Sequence, residues 1–227
     1  METNSKYWHL RNHNMFSQLN EEEIGNLCII SAYKKAKKSE IIYFSNQDLD
    51  RLYILKQGRI KIAYYDENDT EVISEILMEG DIFGEVSLEK SKSESHEFAQ
   101  AMTDEVSLCS FSLENFKELL RQKPDLAITY SQKIGEKLRH ISTKYSDLLF
   151  KDVKERVRTF FKRNAKYEGK WDGKKVELNM YLTHQDIANY IASSRQSVST
   201  IIGELEKEGK IIYKGRRTVI IPDIDLL

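Results

Sequence analysis

Apolar positions change their period along this chain, and each change marks an element boundary. Residues 1–39 read as partly helical, with Asn20 and Glu21-Glu22-Glu23 suiting a helix start ahead of Ile24, Leu27 and Cys28. Lys34, Lys35, Lys37 and Lys38 read as a solvated segment leading into a strand. From residue 40 the apolar positions fall in short runs at 41–44, 52–55, 60–64, 72–77 and 106–111, separated by turn residues such as Gln57-Gly58 and Asp66-Glu67-Asn68-Asp69. An antiparallel β-roll or barrel is the prediction.

Beyond Ser112 the period becomes helical. Leu113, Phe116, Leu119 and Leu120 give a short amphipathic helix, and Pro124 suits the first turn of the next. In that next helix Ala127, Tyr130, Ile134, Leu138, Ile141, Tyr145 and Leu148 follow spacings of 3, 4, 4, 3, 4 and 3. This is close to a heptad seam, so the helix pairs with a second copy, packs on the chain's own β-roll, or does both. Asp152 is placed to cap a further helix that buries Val153, Val157, Phe160 and Phe161, with a hinge near Phe150-Lys151. Residues 164–175 read as a polar loop, with Trp171 as a packing anchor, leading to a strand at 176–178.

Residues 181–209, YLTHQDIANYIASSRQSVSTIIGELEKEG, predict two short helices around an Ala192-Ser193-Ser194 corner. Thr183 with Asp186 forms a relative of the capping box, and Ile187, Tyr190 and Ile191 supply one buried face. The second helix starts at about Arg195, buries Val198, Ile201, Ile202 and Leu205, and turns Arg195, Gln196, Ser199 and Thr200 outward. Arg and Gln there suit base edges in a DNA major groove, since Arg offers two donors to guanine and Gln pairs with adenine. Two β-rich runs, 211–213 and 218–221, then flank Lys214-Gly215-Arg216-Arg217, a hairpin with three cations at its tip that suits phosphate contact. The plainer alternative is a solvated helical hairpin.

Charge supports the nucleic-acid reading. The 227 residues carry a net charge of -1, but residues 152–227 hold 15 Lys and Arg against 11 Asp and Glu, net +4, leaving 20 against 25, net -5, for residues 1–151. The positive part contains the two-helix segment. No signal-peptide pattern opens the chain and no long apolar run occurs, so a cytoplasmic protein without a membrane span is expected. Cys28 and Cys109 lack metal spacing and read as reduced structural thiols.

The order THQDIANYI, ASSRQSVS, IIGELEKEG and a basic hairpin resembles the winged helix-turn-helix of the cyclic-AMP receptor protein and fumarate-nitrate regulator (Crp/Fnr) family of transcription regulators. Upstream, Gly58 before Arg-Ile-Lys-Ile and Gly80-Asp81-Ile82-Phe83-Gly84-Glu85 resemble the glycine-marked corners of cyclic-nucleotide-binding domains. The resemblance implies an α+β chain: an N-terminal antiparallel β-roll sensor at 1–120, a dimerisation helix and hinge at 121–150, and a C-terminal winged helix-turn-helix at 151–227. It also implies a homodimer joined through Tyr130, Ile134, Leu138, Ile141, Tyr145 and Leu148, bound to a pseudo-palindromic duplex, with RNA polymerase as a further partner if the protein activates. Arg195, Gln196, Ser199 and Thr200 are then expected at base edges, and Thr183, Gln185, Ser194, Lys214, Arg216 and Arg217 at phosphates. Gln196 stands where the family commonly has Glu, which shifts the preferred edge from cytosine to adenine.

The implied effector pocket comprises Gly84, Glu85, Val86, Ser87, Ser95, His96, Ile141 and Ser142, with a short helix of the phosphate-binding cassette at 85–88. Its exposed amides would meet a phosphate while the Glu85 carboxylate accepts from a ribose hydroxyl; the alternative is a corner kept for shape. Two departures argue against cyclic AMP in the usual mode. Ser95-His96 replaces the family's Arg-Ser or Arg-Thr pair, with no arginine between Arg59 and Arg121, and Ile141-Ser142 replaces the central-helix Thr-Ser pair. His96 is a candidate haem ligand by resemblance to gas-sensing members, against the simpler reading of an exposed histidine. No cofactor is required by this reading. Two rivals remain: a cupin-like enzyme, disfavoured because the histidines are scattered at 9, 13, 96, 140 and 184, and a β-roll interaction module whose winged helix binds protein.

Overall fold

A computed structural model describes residues 2–44, 50–88, 96–215 and 217–227. They form two compact units, Met1–His140 and Ile141–Leu227.

The first unit opens with helix α1 (Glu2–Asn12), a 3-10 turn (Asn14–Phe16) and α2 (Glu21–Ile30). Asn20 caps α2 through a complete capping box: its side chain accepts from the Glu23 amide at 2.9 Å, and the Glu23 carboxylate accepts from the Asn20 amide at 2.8 Å. Eight strands follow: β1 (Ser31–Ala36), β2 (Ile41–Phe44), β3 (Arg51–Gln57), β4 (Ile60–Tyr65), β5 (Glu71–Leu77), β6 (Ile82–Gly84), β7 (Phe98–Ala101) and β8 (Val106–Ser112). They make two antiparallel sheets, ordered β1-β8-β3-β6 and β2-β7-β4-β5. The five predicted strands are present as β2, β3, β4, β5 and β8.

Strand β8 explains its own composition. Paired on both edges, with β1 and β3, it also faces two cores. Cys109 and Phe111 join Leu10, Phe16, Ile24, Leu27, Phe116 and Tyr130 under the helices. Val106 and Leu108 join Leu55, Ile60, Leu77 and Phe83 between the sheets. Covered on both faces, the strand shows no strict alternation, and Ser107 and Ser110 are buried along with its apolar residues. Both cysteines are free and buried, and burial raises their thiol pKa values, that of Cys109 to about 11.

Two strands of this unit differ from the sequence reading. Lys34 and Lys35 lie inside β1, which pairs with β8 from Ser31↔Phe111 to Ala36↔Val106. Strand β7, held between β2 and β4, has only four residues and no β-branched side chain. Neither strand has a local signature.

Ser112 caps α3 (Leu113–Gln122), and Pro124 opens the 27-residue helix α4 (Pro124–Phe150), whose last turns belong to the second unit. There Asp152 caps α5 (Val153–Glu168), and a four-stranded sheet, β11-β12-β10-β9, accompanies α6 (His184–Ile191) and α7 (Arg195–Lys207). Its strands are β9 (Lys170–Asp172), β10 (Lys175–Asn179), β11 (Ile212–Lys214) and β12 (Thr218–Ile221). The expected loop at 164–175 is replaced by the end of α5 and by β9. Trp171 is half exposed, and its indole N–H donates at 3.1 Å to the Ala165 carbonyl, which also accepts from the Gly169 amide at 3.0 Å where α5 ends.

Where α1 ends, His13 is 7% exposed and fixed as one neutral tautomer: Nδ1 accepts from the Met15 amide at 3.2 Å, so Nε2 is the protonated nitrogen that donates to the Gly80 carbonyl at 3.1 Å. His9 lies beside it, ring centres 5.9 Å apart. Burial lowers both pKa values, that of His9 from 6.5 to about 4. Between those limits the unfolded chain binds more protons at His9, so the stability held above pH 6.5 is lost as the pH falls toward 4. Asp81 and Glu97, raised by burial, act in the opposite sense. We expect the loss of urea resistance from pH 7 to about pH 5 to be smaller in His9→Gln than in the parent. An equal loss would remove His9 from the acid response.

Candidate nucleic-acid interface and effector corner

The two-helix segment is built by caps. Thr183 caps α6 in a full box with Asp186: the Asp186 amide donates to Thr183 Oγ1 at 3.1 Å, and the Thr183 amide and hydroxyl donate to Asp186 Oδ2 at 2.8 and 2.6 Å. Ser194 caps α7, accepting from the Ser197 amide at 3.0 Å. Between them Ala192 takes the left-handed conformation, φ 52° and ψ 64°, and the Ala192 and Ser193 amides both donate to the Ala188 carbonyl. The chain thereby turns from one helix into the next within three residues. Val198, Ile202 and Leu205 bury one side of α7, while Arg195, Gln196 and Thr200 remain exposed on the other.

Ser199 is half-buried, and its hydroxyl lies 2.9 Å from His184 Nδ1, tying α7 to the first turn of α6. That contact was not legible in the sequence. Burial, and then the Arg195 charge, lower the His184 pKa, so the neutral ring is favoured in this bond. Of the expected phosphate contacts, Thr183, Gln185, Ser194, Lys214 and Arg217 are exposed. The Gln185 side chain donates Nε2 to Asn189 Oδ1 at 2.6 Å, and Arg216 lies outside the described residues. Gly215, with φ 75°, turns the hairpin between β11 and β12 that carries Lys214 and Arg217.

The effector corner departs from expectation. Residues 85–88 form a turn instead of a helix, ended by Leu88 at φ 61°. Its four amides are already engaged: Glu85 to the Arg51 carbonyl at 3.1 Å, Val86 to Gly84 at 2.9 Å, Ser87 to the Glu85 carboxylate at 3.1 Å and Leu88 to the Glu85 carbonyl at 3.4 Å. The Glu85 carboxylate also accepts from the Ser87 hydroxyl. The carboxylate expected to meet a ribose hydroxyl is taken up by Ser87, and the amides expected to meet a phosphate donate to Arg51, Gly84 and Glu85. Gly84 has a shape reason of its own, because a Cβ there would stand 2.6 Å from the Arg51 carbonyl and 2.7 Å from the Tyr53 ring. Val86 packs on the helix-side core and its carbonyl accepts from the Tyr130 hydroxyl. His96 is exposed, Ser95 lies outside the described residues, and Ile141 and Ser142 are exposed in the second unit.

The six positions expected to join two copies divide into two groups. Tyr130 is 7% exposed and packs, with Ile134, into the chain's own core. Leu138, Ile141, Tyr145 and Leu148 are exposed, as are Leu149 and Phe150.

Comparison with known proteins agrees with this architecture. Residues 33–123 match the cyclic nucleotide-binding domain model, and 155–227 match the Crp-like helix-turn-helix domain model. The chain is 30% identical over 188 residues to the cAMP-activated global transcriptional regulator Vfr of Pseudomonas aeruginosa, covering 81% of this chain and 86% of that protein. It is 24% identical over 184 residues to the global nitrogen regulator of Synechocystis, covering 81% of each. A mutant of CooA from Carboxydothermus hydrogenoformans shares the fold, with a TM-score of 0.79 at 24% identity over 96% of each chain.

Ala192 allows a direct test of the corner. Relieving a left-handed alanine is worth roughly 1–2 kcal/mol, and the added freedom of glycine in the unfolded chain costs roughly 0.4–1 kcal/mol. Ala192→Gly is therefore expected to raise the urea midpoint of the second unit slightly; a clear fall would show that the corner is not strained.

Proposed function

The chain belongs to the Crp/Fnr family of transcription regulators, with a cyclic nucleotide-binding domain and a Crp-like helix-turn-helix domain, and from that premise we propose that it reads a pseudo-palindromic DNA site as a homodimer. The observation that carries this reading is the exposed Arg195, Gln196 and Thr200 face of α7, with exposed Lys214 and Arg217 at the hairpin between β11 and β12. In this reading α7 enters the major groove, Arg195 and Gln196 address base edges, and the hairpin holds phosphates. Ser199 contributes mainly by orienting α7 through His184. The exposed Leu138, Ile141, Tyr145 and Leu148 form the seam between protomers.

The β-roll is the regulatory half, and its effector is not cyclic AMP held in the usual mode. Support comes from the absence of an arginine between Arg59 and Arg121 and from the amides of residues 85–88, each already donating within the chain. The effector acts by shifting the dimer between DNA-competent and incompetent arrangements.

Selection of the tightest sites from random duplexes, with and without cyclic AMP, is the experiment of choice. We expect a palindromic winner whose binding the nucleotide leaves unchanged; nucleotide-dependent binding would overturn the effector reading. Arg195→Ala is expected to cost roughly 1–3 kcal/mol on the selected site and to relax one base position, whereas Lys214→Ala weakens all duplexes alike. Equal losses on selected and random DNA would remove Arg195 from base readout. Leu138→Asp combined with Tyr145→Asp is expected to give a monomer in sedimentation; a persisting dimer would place the seam elsewhere.

A further inference from the structure

The second unit grips the first helix of the helix-turn-helix through side chains that neither base reading nor phosphate contact employs. Tyr190, in the last turn of α6, is held from three sides. The Lys144 ammonium of α4 stands 4.0 Å from the centre of its ring. Arg163 of α5 donates Nη1 to its hydroxyl at 3.1 Å, and Phe160 of α5 meets the ring edge-on with centres 6.0 Å apart. Two turns before Arg163, Arg156 donates Nη1 to the Ile191 carbonyl at 2.9 Å. That carbonyl lies at the C-terminal end of α6, where open acceptors and the helix dipole favour a cation.

These links are directional in a way that apolar packing is not. Burial of Ile187 and Ile191 holds α6 down but leaves its roll weakly defined, because hydrophobic attraction depends on area. A ring face, a hydroxyl and a carbonyl, each met by a cation, define that roll. Lys144, Arg156, Arg163 and Tyr190 are all half-buried, so salt screens their attractions less than it would on an open surface. Beside them lies a slot of about 30 Å³.

We propose that Tyr190 is a positioning residue for DNA recognition: through it Lys144 and Arg163 fix the attitude of the helix-turn-helix on the tail of α4, and so the half-site spacing that a dimer accepts. The inference rests on the dimeric DNA-binding reading above. If α4 joins the protomers, the grip is the joint between that seam and the reading head.

The test compares binding to the selected palindrome, to versions with base pairs inserted or removed between the half-sites, and to a single half-site. Wild type is expected to lose about tenfold or more on altered spacing. Lys144→Ala and Tyr190→Leu should flatten that dependence while single half-site affinity holds. Lys144→Arg, which keeps a cation over the ring, should restore it, and Tyr190→Phe, which keeps the ring but frees Arg163, should fall between. A merely structural role would lower melting temperature and every affinity together and leave the spacing ratio intact, which overturns the proposal. So would a Lys144→Arg protein as defective as Lys144→Ala. A wild type that binds single and paired half-sites alike overturns the dimeric reading, and the spacing role with it.

Discussion

Helix α4 carries more apolar surface than its own chain covers, and the two units meet that constraint differently. At its start, Leu126, Tyr130 and Ile134 sink into the core under β8. From Leu138 to Phe150 the same stripe is exposed, with Phe150 at 80%. At roughly 25 cal/mol for each Å² of apolar surface removed from water, a second stripe laid along this one gains several kcal/mol before the entropy of association is charged. The helix is bound at one end and bare at the other.

The reading half follows from local rules. Thr183 with Asp186, and Ser194 with Ser197, place the starts of α6 and α7 by side chains three residues apart, which is why both were legible in sequence. The exposed side of α7 was legible for the same reason, since helical period alone divides Val198, Ile202 and Leu205 from Arg195 and Gln196. What the sequence could not reveal is tertiary: the His184 bond to Ser199, and the convergence of Lys144, Arg156 and Arg163 around the end of α6. Cations spaced along a helix look the same whether they face water or a ring.

In the β-roll, strands with apolar runs were recognisable and those defined by their partners were not. Strand β1 carries two lysines, and β7 is Phe-Ala-Gln-Ala; each is a strand because a neighbour offers open backbone groups. The expected helix at residues 85–88 failed through short-range chemistry, since Glu85 turns its carboxylate back on Ser87 and Leu88 goes left-handed. The heptad-like spacing of α4 likewise gave no sign of where burial stops, because one period serves a core and an interface equally.

The pairing of β1 with β8 also orders events on the ribosome. Each residue of β1 finds its partner 70 to 80 positions later, from Ala36↔Val106 to Ser31↔Phe111. At about 5–20 residues per second of synthesis, β1 waits several seconds without its partner before β8 emerges. Lys34 and Lys35 on that waiting strand are the charges that discourage it from pairing with a neighbouring nascent chain. The second unit, whose β10 pairs with β9 and β12 within one short stretch of chain, closes soon after it is made. The helix-turn-helix unit thus closes quickly, while the first strand of the β-roll waits for a partner made 70 to 80 residues later.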